Sequence, residues 1–160
     1  MEYVGLEEVL ALHAEIKGIP PGTARDHVHR MELLESALER ARNAATYGDA
    51  GLVEQAATLM WGLVRSHPFS DGNKRTAFVV TRLFIELNGA TLDMSENEKF
   101  QLVIGIANGG VTVEETTAAL RPGIRRRRDA HAIGEDEASS LATSSSSRSS
   151  ARTRRKSSSS

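Results

Sequence analysis

"LVEQAATLMWGLVRSHPFSDGNKRTAFVVTRLFIELNG", residues 52–89, is the stretch whose reading decides the fold. Its first part, Leu52 to Ser66, sets Val53, Ala56, Leu59, Met60, Leu63 and Val64 at helical spacing on more than one side. A helix apolar nearly all round belongs in the middle of a bundle. Its last part, Gly72 to Asn88, predicts a second buried helix, closed by Gly89. Between them lies "HPFSDGNKRTAF", residues 67–78, where Pro68 and Gly72 break the helical pattern and His, Asp, Asn, Lys and Arg crowd together.

Outward from this centre the pattern stays helical. Leu6, Val9, Leu10, Leu12 and Ile16 recur at helical spacing up to Gly18 and the turn "GIPPG". His27 to Tyr47 carries Met31, Leu34, Leu38 and Ala41 along one face, then a polar break at "TYGDAG", residues 46–51. "SENE" at 95–98 and "TVEE" at 112–115 each place Glu three residues after Ser or Thr, the capping box that opens a helix. "ATLDM" at 90–94 is the one candidate for an extended piece. The expected fold is all-α: a helical bundle with the motif loop between two central helices.

The chain has 160 residues and a net charge of −1 that hides two unlike halves. Residues 1–124 carry 11 Lys and Arg against 17 Asp and Glu, whereas residues 125–160 carry 9 against 4. The expected organisation is a folded helical domain over 1–124 and a disordered tail over 125–160, too rich in Ser and too poor in apolar residues to offset its chain entropy. The tail's Arg runs suit weak contact with nucleic acid, or a solvated extension with no role of its own. Without cysteine there is no disulfide and no thiolate nucleophile. No apolar run approaches the length of a membrane span, and no basic, apolar leader opens the chain, so a cytoplasmic protein is expected.

The chemistry concentrates in residues 67–78. Asn73, Lys74 and Arg75 fall in the first turn of a helix, where unpaired N–H groups and the helix dipole favour an anion. Lys74 and Arg75 conflict with that dipole unless a phosphate lies between them. Gly72 lets a ligand approach the backbone. Asp71 suits Mg²⁺, which takes carboxylate and phosphate oxygens together. His67 suits a general base. Phe69 is expected in the core, pinning the loop, and Pro68 stiffens it. The plain alternative is a polar connection in which Asp71 caps the helix and the cations meet surface acids. Elsewhere the histidines make no metal set. His27 and His29 face apart, His13 is expected on the exposed side of the first helix, and His131 lies in the tail. Trp61 is expected in the core.

"HPFSDGNKRTA" resembles the signature of the Fic/Doc superfamily, His-x-Phe-x-Asp/Glu-Gly-Asn followed by a basic stretch. His67, Phe69, Asp71, Gly72, Asn73 and Arg75 fall on it. "NKRTA" and "EEVLALHAEI" look like the Doc (death-on-curing) branch, the toxins of Phd–Doc toxin–antitoxin modules. The resemblance implies transfer of part of a nucleotide onto a protein hydroxyl, with ATP and Mg²⁺. It implies a catalytic set of His67, Asp71, Asn73 and Arg75, with Asp71 on the metal. It also implies nucleotide contacts at Phe69, Gly72, Asn73, Lys74 and Arg75.

Two positions bear on the branch. Adenylylating Fic proteins usually have Gly where this chain has Lys74 and a second Arg where it has Phe78. The resemblance to Doc instead implies a nucleotide bound with its γ-phosphate toward the histidine. That makes a protein kinase whose substrate is elongation factor Tu or another translation protein, held in check by a Phd-like antitoxin. Gly72 is shared with the adenylylating branch, so AMP transfer stands as an alternative. A non-catalytic Fic-fold binding module is a second. The autoinhibitory pattern Ser/Thr-x-x-x-Glu-Gly/Asn does not occur, which suits restraint by a separate protein.

Overall fold

α3 (Leu52–Ser66) and α4 (Asn73–Leu87) take up the two spans expected of the central helices. They belong to a computed structural model that describes residues 1–48 and 51–127. α3 packs against α2 (Met31–Gly48), α4, α5 (Glu96–Ala107) and α6 (Val113–Leu120), and buries residues on most of its circumference. α1 (Leu6–Lys17) lies against α4 and α2. The core runs from Val9 and Leu10 through Leu34, Met60 and Leu63 to Phe84, Ile85 and Ile106, all buried. Each such side chain contributes about 1.5–3 kcal/mol by leaving water.

Local chemistry sets the helix ends. Gly18 closes α1 in the left-handed region, at φ 69°. Both capping boxes form as their spacing predicts. Ser95 accepts from the Glu98 N–H and Thr112 from the Glu115 N–H, and each Glu reaches back to its cap. α4 ends at Leu87 with Asn88 as cap, and Gly89 follows at φ 82°.

Two expectations change. The second helix begins at Met31, not at His27. Pro21–His27 forms a 3₁₀ stretch instead, and His27 to Arg30 turns its backbone toward the motif loop. Hydrogen bonds to a distant segment outweigh local helical pattern there. The tail boundary also moves in part. Ile124–Arg126 forms a short strand, β2, and within the first unit Ile124 and Arg125 pair with β1 (Ala90–Leu92) in a two-stranded sheet. Asp93 N–H donates to the Gly123 carbonyl at 2.8 Å beside it.

Two units divide the chain, Met1–Arg125 and Arg126–Ser160. Of the second, Arg126 and Arg127 are described, and the disorder expected of the tail, like the residues Asp49 and Ala50, lies outside the described residues. No helix among the described residues is long and apolar enough to cross a membrane.

Candidate active site

His67 caps α3 in the left-handed region, at φ 50° and ψ 55°. Among the described residues it is the one non-glycine with positive φ. Such a conformation costs about 1–2 kcal/mol and persists because neighbouring structure holds it. The neighbours here are the residues that failed to join α2. The Pro68 carbonyl accepts from the His29 and Arg30 N–H groups, at 2.8 and 3.3 Å. Phe69 forms an antiparallel bridge with Val28. Ser70 N–H donates to the His27 carbonyl at 3.2 Å, and its hydroxyl donates to the same oxygen. With its backbone so tied down, the loop presents the His67 side chain to solvent.

Asn73 secures the loop from the other end. It is buried, its Oδ1 accepts from the Phe69 N–H at 2.8 Å, and its Nδ2 donates to the Phe69 carbonyl at 2.9 Å. Its amide is thereby committed to the loop. Of the direct ligand contacts expected of Asn73, the side-chain ones are accounted for by this clamp, leaving its backbone N–H in the first turn. Phe69 is 1% exposed. The expectation that it pins the loop agrees with this burial. Its expected nucleotide contact does not, because the core and an imidazole cover the ring.

That imidazole belongs to His13, which corrects the surface position expected for it. His13 is 1% exposed, stacks on Phe69 with centroids 3.7 Å apart and planes 9° from parallel, and hydrogen-bonds through Nδ1 to Thr76 Oγ1 at 2.8 Å. The sequence signal was present, since His13 lies one turn beyond Val9 on the buried face of α1. Burial, then the nearby charges of Lys17 and His27, push its pKa below 6.5, against an upward pull from Asp71. A neutral imidazole in the native state and a normal one in the unfolded state fix the sign. Its contribution is complete above pH 6.5 and is lost as pH falls from there toward the lowered native value. Urea midpoints should be flat between about pH 7 and 8 and fall below about 6.5. In His13→Asn, which is less stable throughout, that step should disappear.

Gly72 is the N-cap of α4, at φ 77°. A Cβ there would lie 3.2 Å from Lys17 Cδ and 3.3 Å from His13 Cε1, so both its conformation and its neighbours call for glycine. α4 begins without a side-chain cap and without an acid in its first turn, in contrast to α5 and α6. Asp71 does not cap it. Its exposed carboxylate pairs with Lys17 Nζ at 2.6 Å, which holds the Asp71 pKa below the usual carboxylate value. The plain reading of Asp71 as a helix cap is set aside.

Lys74 and Arg75 are exposed and open onto a groove of about 500 Å³ between α4 and α5. Arg82 and Lys99 add two more cations to its walls. Both stand over the Phe78 ring, at 5.2 and 4.9 Å from its centroid. Phe100, 59% exposed, offers an apolar face beside them. Glu96 is the acid lining the groove, and it pairs with Lys99 at 2.8 Å. Such a surface accepts a ligand with both anionic groups and a flat apolar part. Trp61 is half-buried, and its indole N–H donates to the Val111 carbonyl at 2.9 Å. No cluster of three or more His, Cys, Asp or Glu suited to a metal exists among the described residues. Asp71 supplies one hard oxygen donor, which fits an ion carried in by phosphates and not a resident one.

The chain's residues 3–85 match the family model described as Fic/DOC family. It is 30% identical over 130 residues to the protein named "Protein kinase doc" of Escherichia phage P1, covering 76% of this chain and 94% of that protein. It is 37% identical over 99 residues to "Toxin Doc" of Mycolicibacterium smegmatis, covering 57% of this chain and 68% of that toxin.

Proposed function

Since the chain belongs to the Fic/DOC family, we propose that it is a Doc-like toxin, a cytoplasmic protein kinase that uses ATP and Mg²⁺ to phosphorylate a Ser or Thr hydroxyl of a translation protein. The observation that carries the proposal is the exposed His67, held in a strained turn directly before a helix start that is uncapped and flanked by Lys74 and Arg75. The names of the two relatives, a protein kinase and a toxin, agree with it.

In this reading an imidazole nitrogen of His67 takes the proton of the target hydroxyl. The hydroxyl oxygen forms a bond to the γ-phosphorus as the bond from that phosphorus to the β–γ bridging oxygen breaks, and ADP leaves with the electron pair. The first-turn N–H groups of α4, with Lys74 and Arg75, receive phosphate oxygens. Asp71 would hold the Mg²⁺, whose charge offsets that of the phosphates. Asn73 and Phe69 act by keeping the loop rigid. The groove beyond Arg75 takes the remainder of the nucleotide, and Phe78 at its floor suits a nucleoside better than a polyphosphate. Restraint falls to a Phd-like antitoxin, and elongation factor Tu is the substrate that the family likeness suggests.

AMP transfer is the rival chemistry, and it rested on Gly72. The packing of α1 across Gly72 accounts for that residue without it. ATP labelled at the α or the γ position, incubated with the protein, Mg²⁺ and a translation extract, tests the choice. Label from the γ position should appear on a protein of the size of elongation factor Tu, with a mass gain of one phosphoryl group. Label from the α position with the mass of AMP would replace the kinase with an adenylyltransferase. No label from either position would leave a binding module.

A further inference from the structure

Lys17 is the last residue of α1, and its ammonium sits 2.6 Å from Asp71 Oδ1. Its stem lies across Gly72, with Cδ at 3.2 Å from where a Cβ would be. The pair therefore occupies the carboxylate that would take a divalent ion, and it is built in by the backbone. An alanine at position 72 would force the stem aside, whereas glycine leaves it a track. We propose that Lys17 is a positioning residue that stands in for the metal, holding Asp71 oriented and neutralised until a divalent cation arriving with nucleotide phosphates displaces it. This rests on Asp71 being the metal ligand of the proposed kinase.

The physical argument is one of exclusion. An ammonium and a divalent ion cannot both contact one carboxylate oxygen without strong repulsion, so binding of either weakens the other. The carboxylate is 68% exposed and the ammonium side chain 36%, which makes the ion pair weak enough to be displaced. A divalent ion alone gains one carboxylate and must evict a cation. The same ion with a di- or triphosphate gains several more oxygens, and its charge is offset. The device thus favours the metal–nucleotide complex over free metal, and it explains why Lys17 and Gly72 occur together in this chain.

Binding of Mn²⁺ in the presence of ADP, followed by the electron paramagnetic resonance signal of the free ion, tests this apart from catalysis. Lys17→Met should bind Mn²⁺ roughly five- to tenfold tighter than the wild-type chain at low ionic strength, and the gap should narrow in high salt. Lys17→Arg, which keeps the cation, should bind no tighter than wild type. Should Lys17→Met lower the melting temperature, Lys17→Gln serves as a second, polar variant with the same expected direction. Equal or weaker binding in the Met and Gln variants would overturn the role of Lys17 while leaving the kinase reading intact. If the wild-type chain with ADP held no Mn²⁺ at all, and Asp71→Asn behaved the same, Asp71 would not be a metal ligand and both readings would fall.

Discussion

Replacing His67 with alanine should abolish growth arrest on induced expression and lower phosphoryl transfer by about 10²–10⁴-fold, with the helical signal and melting behaviour retained. The loss corresponds to roughly 3–5 kcal/mol of barrier. It should be confined to function because the imidazole is exposed. The left-handed backbone at this position is the one complication, since alanine is disfavoured there by about 1–2 kcal/mol, much as histidine is. His67→Asn adopts that conformation more readily and should be equally inactive. Arrest by either variant at the wild-type level would show that the proton goes elsewhere.

Phe69→Ala should have the largest effect on folding, about 3–5 kcal/mol, measured as a drop in the urea midpoint followed through far-ultraviolet circular dichroism. The ring is 1% exposed and lies beneath His13. Its removal opens a cavity at the meeting point of α1, the motif loop and α4, and deprives His13 of its stacking partner. Activity should fall with stability, because the same contacts aim His67. Phe69→Leu should recover part of the stability, since it refills part of the volume. A loss of less than about 1 kcal/mol in Phe69→Ala would mean that the loop is held by its hydrogen bonds alone.

The parts of this architecture that were legible beforehand are those governed by neighbours in sequence. α3 and α4 follow from apolar periodicity, and α5 and α6 from capping boxes whose partners are three residues apart. What escaped is governed by distance. His27 to Arg30 leaves the helical pattern because its hydrogen bonds go to residues 68–70. Arg125 looks like the start of a solvated tail until β1 is placed beside it. His13 was misplaced by residue type, since its register with Val9 already put it inside and only its polarity argued otherwise. In the site, the residues of 67–75 were identifiable as a group. The division of labour among them was not, because Asn73 reads as a ligand until its amide is seen closed on Phe69. Lys17 carried no local signal at all.

The contacts that brace the loop join residue 13 to residue 76 and residue 17 to residue 71. A ribosome delivers α1 first and α4 only after some sixty further residues, so the brace waits while its counterpart is still being made. During that interval the segment containing His67 has nothing from α4 to hold it in its strained turn. On the proposed reading, a growing polypeptide cannot yet act on the machinery that makes it. The site proposed for transfer is complete only when the fourth helix has emerged and docked.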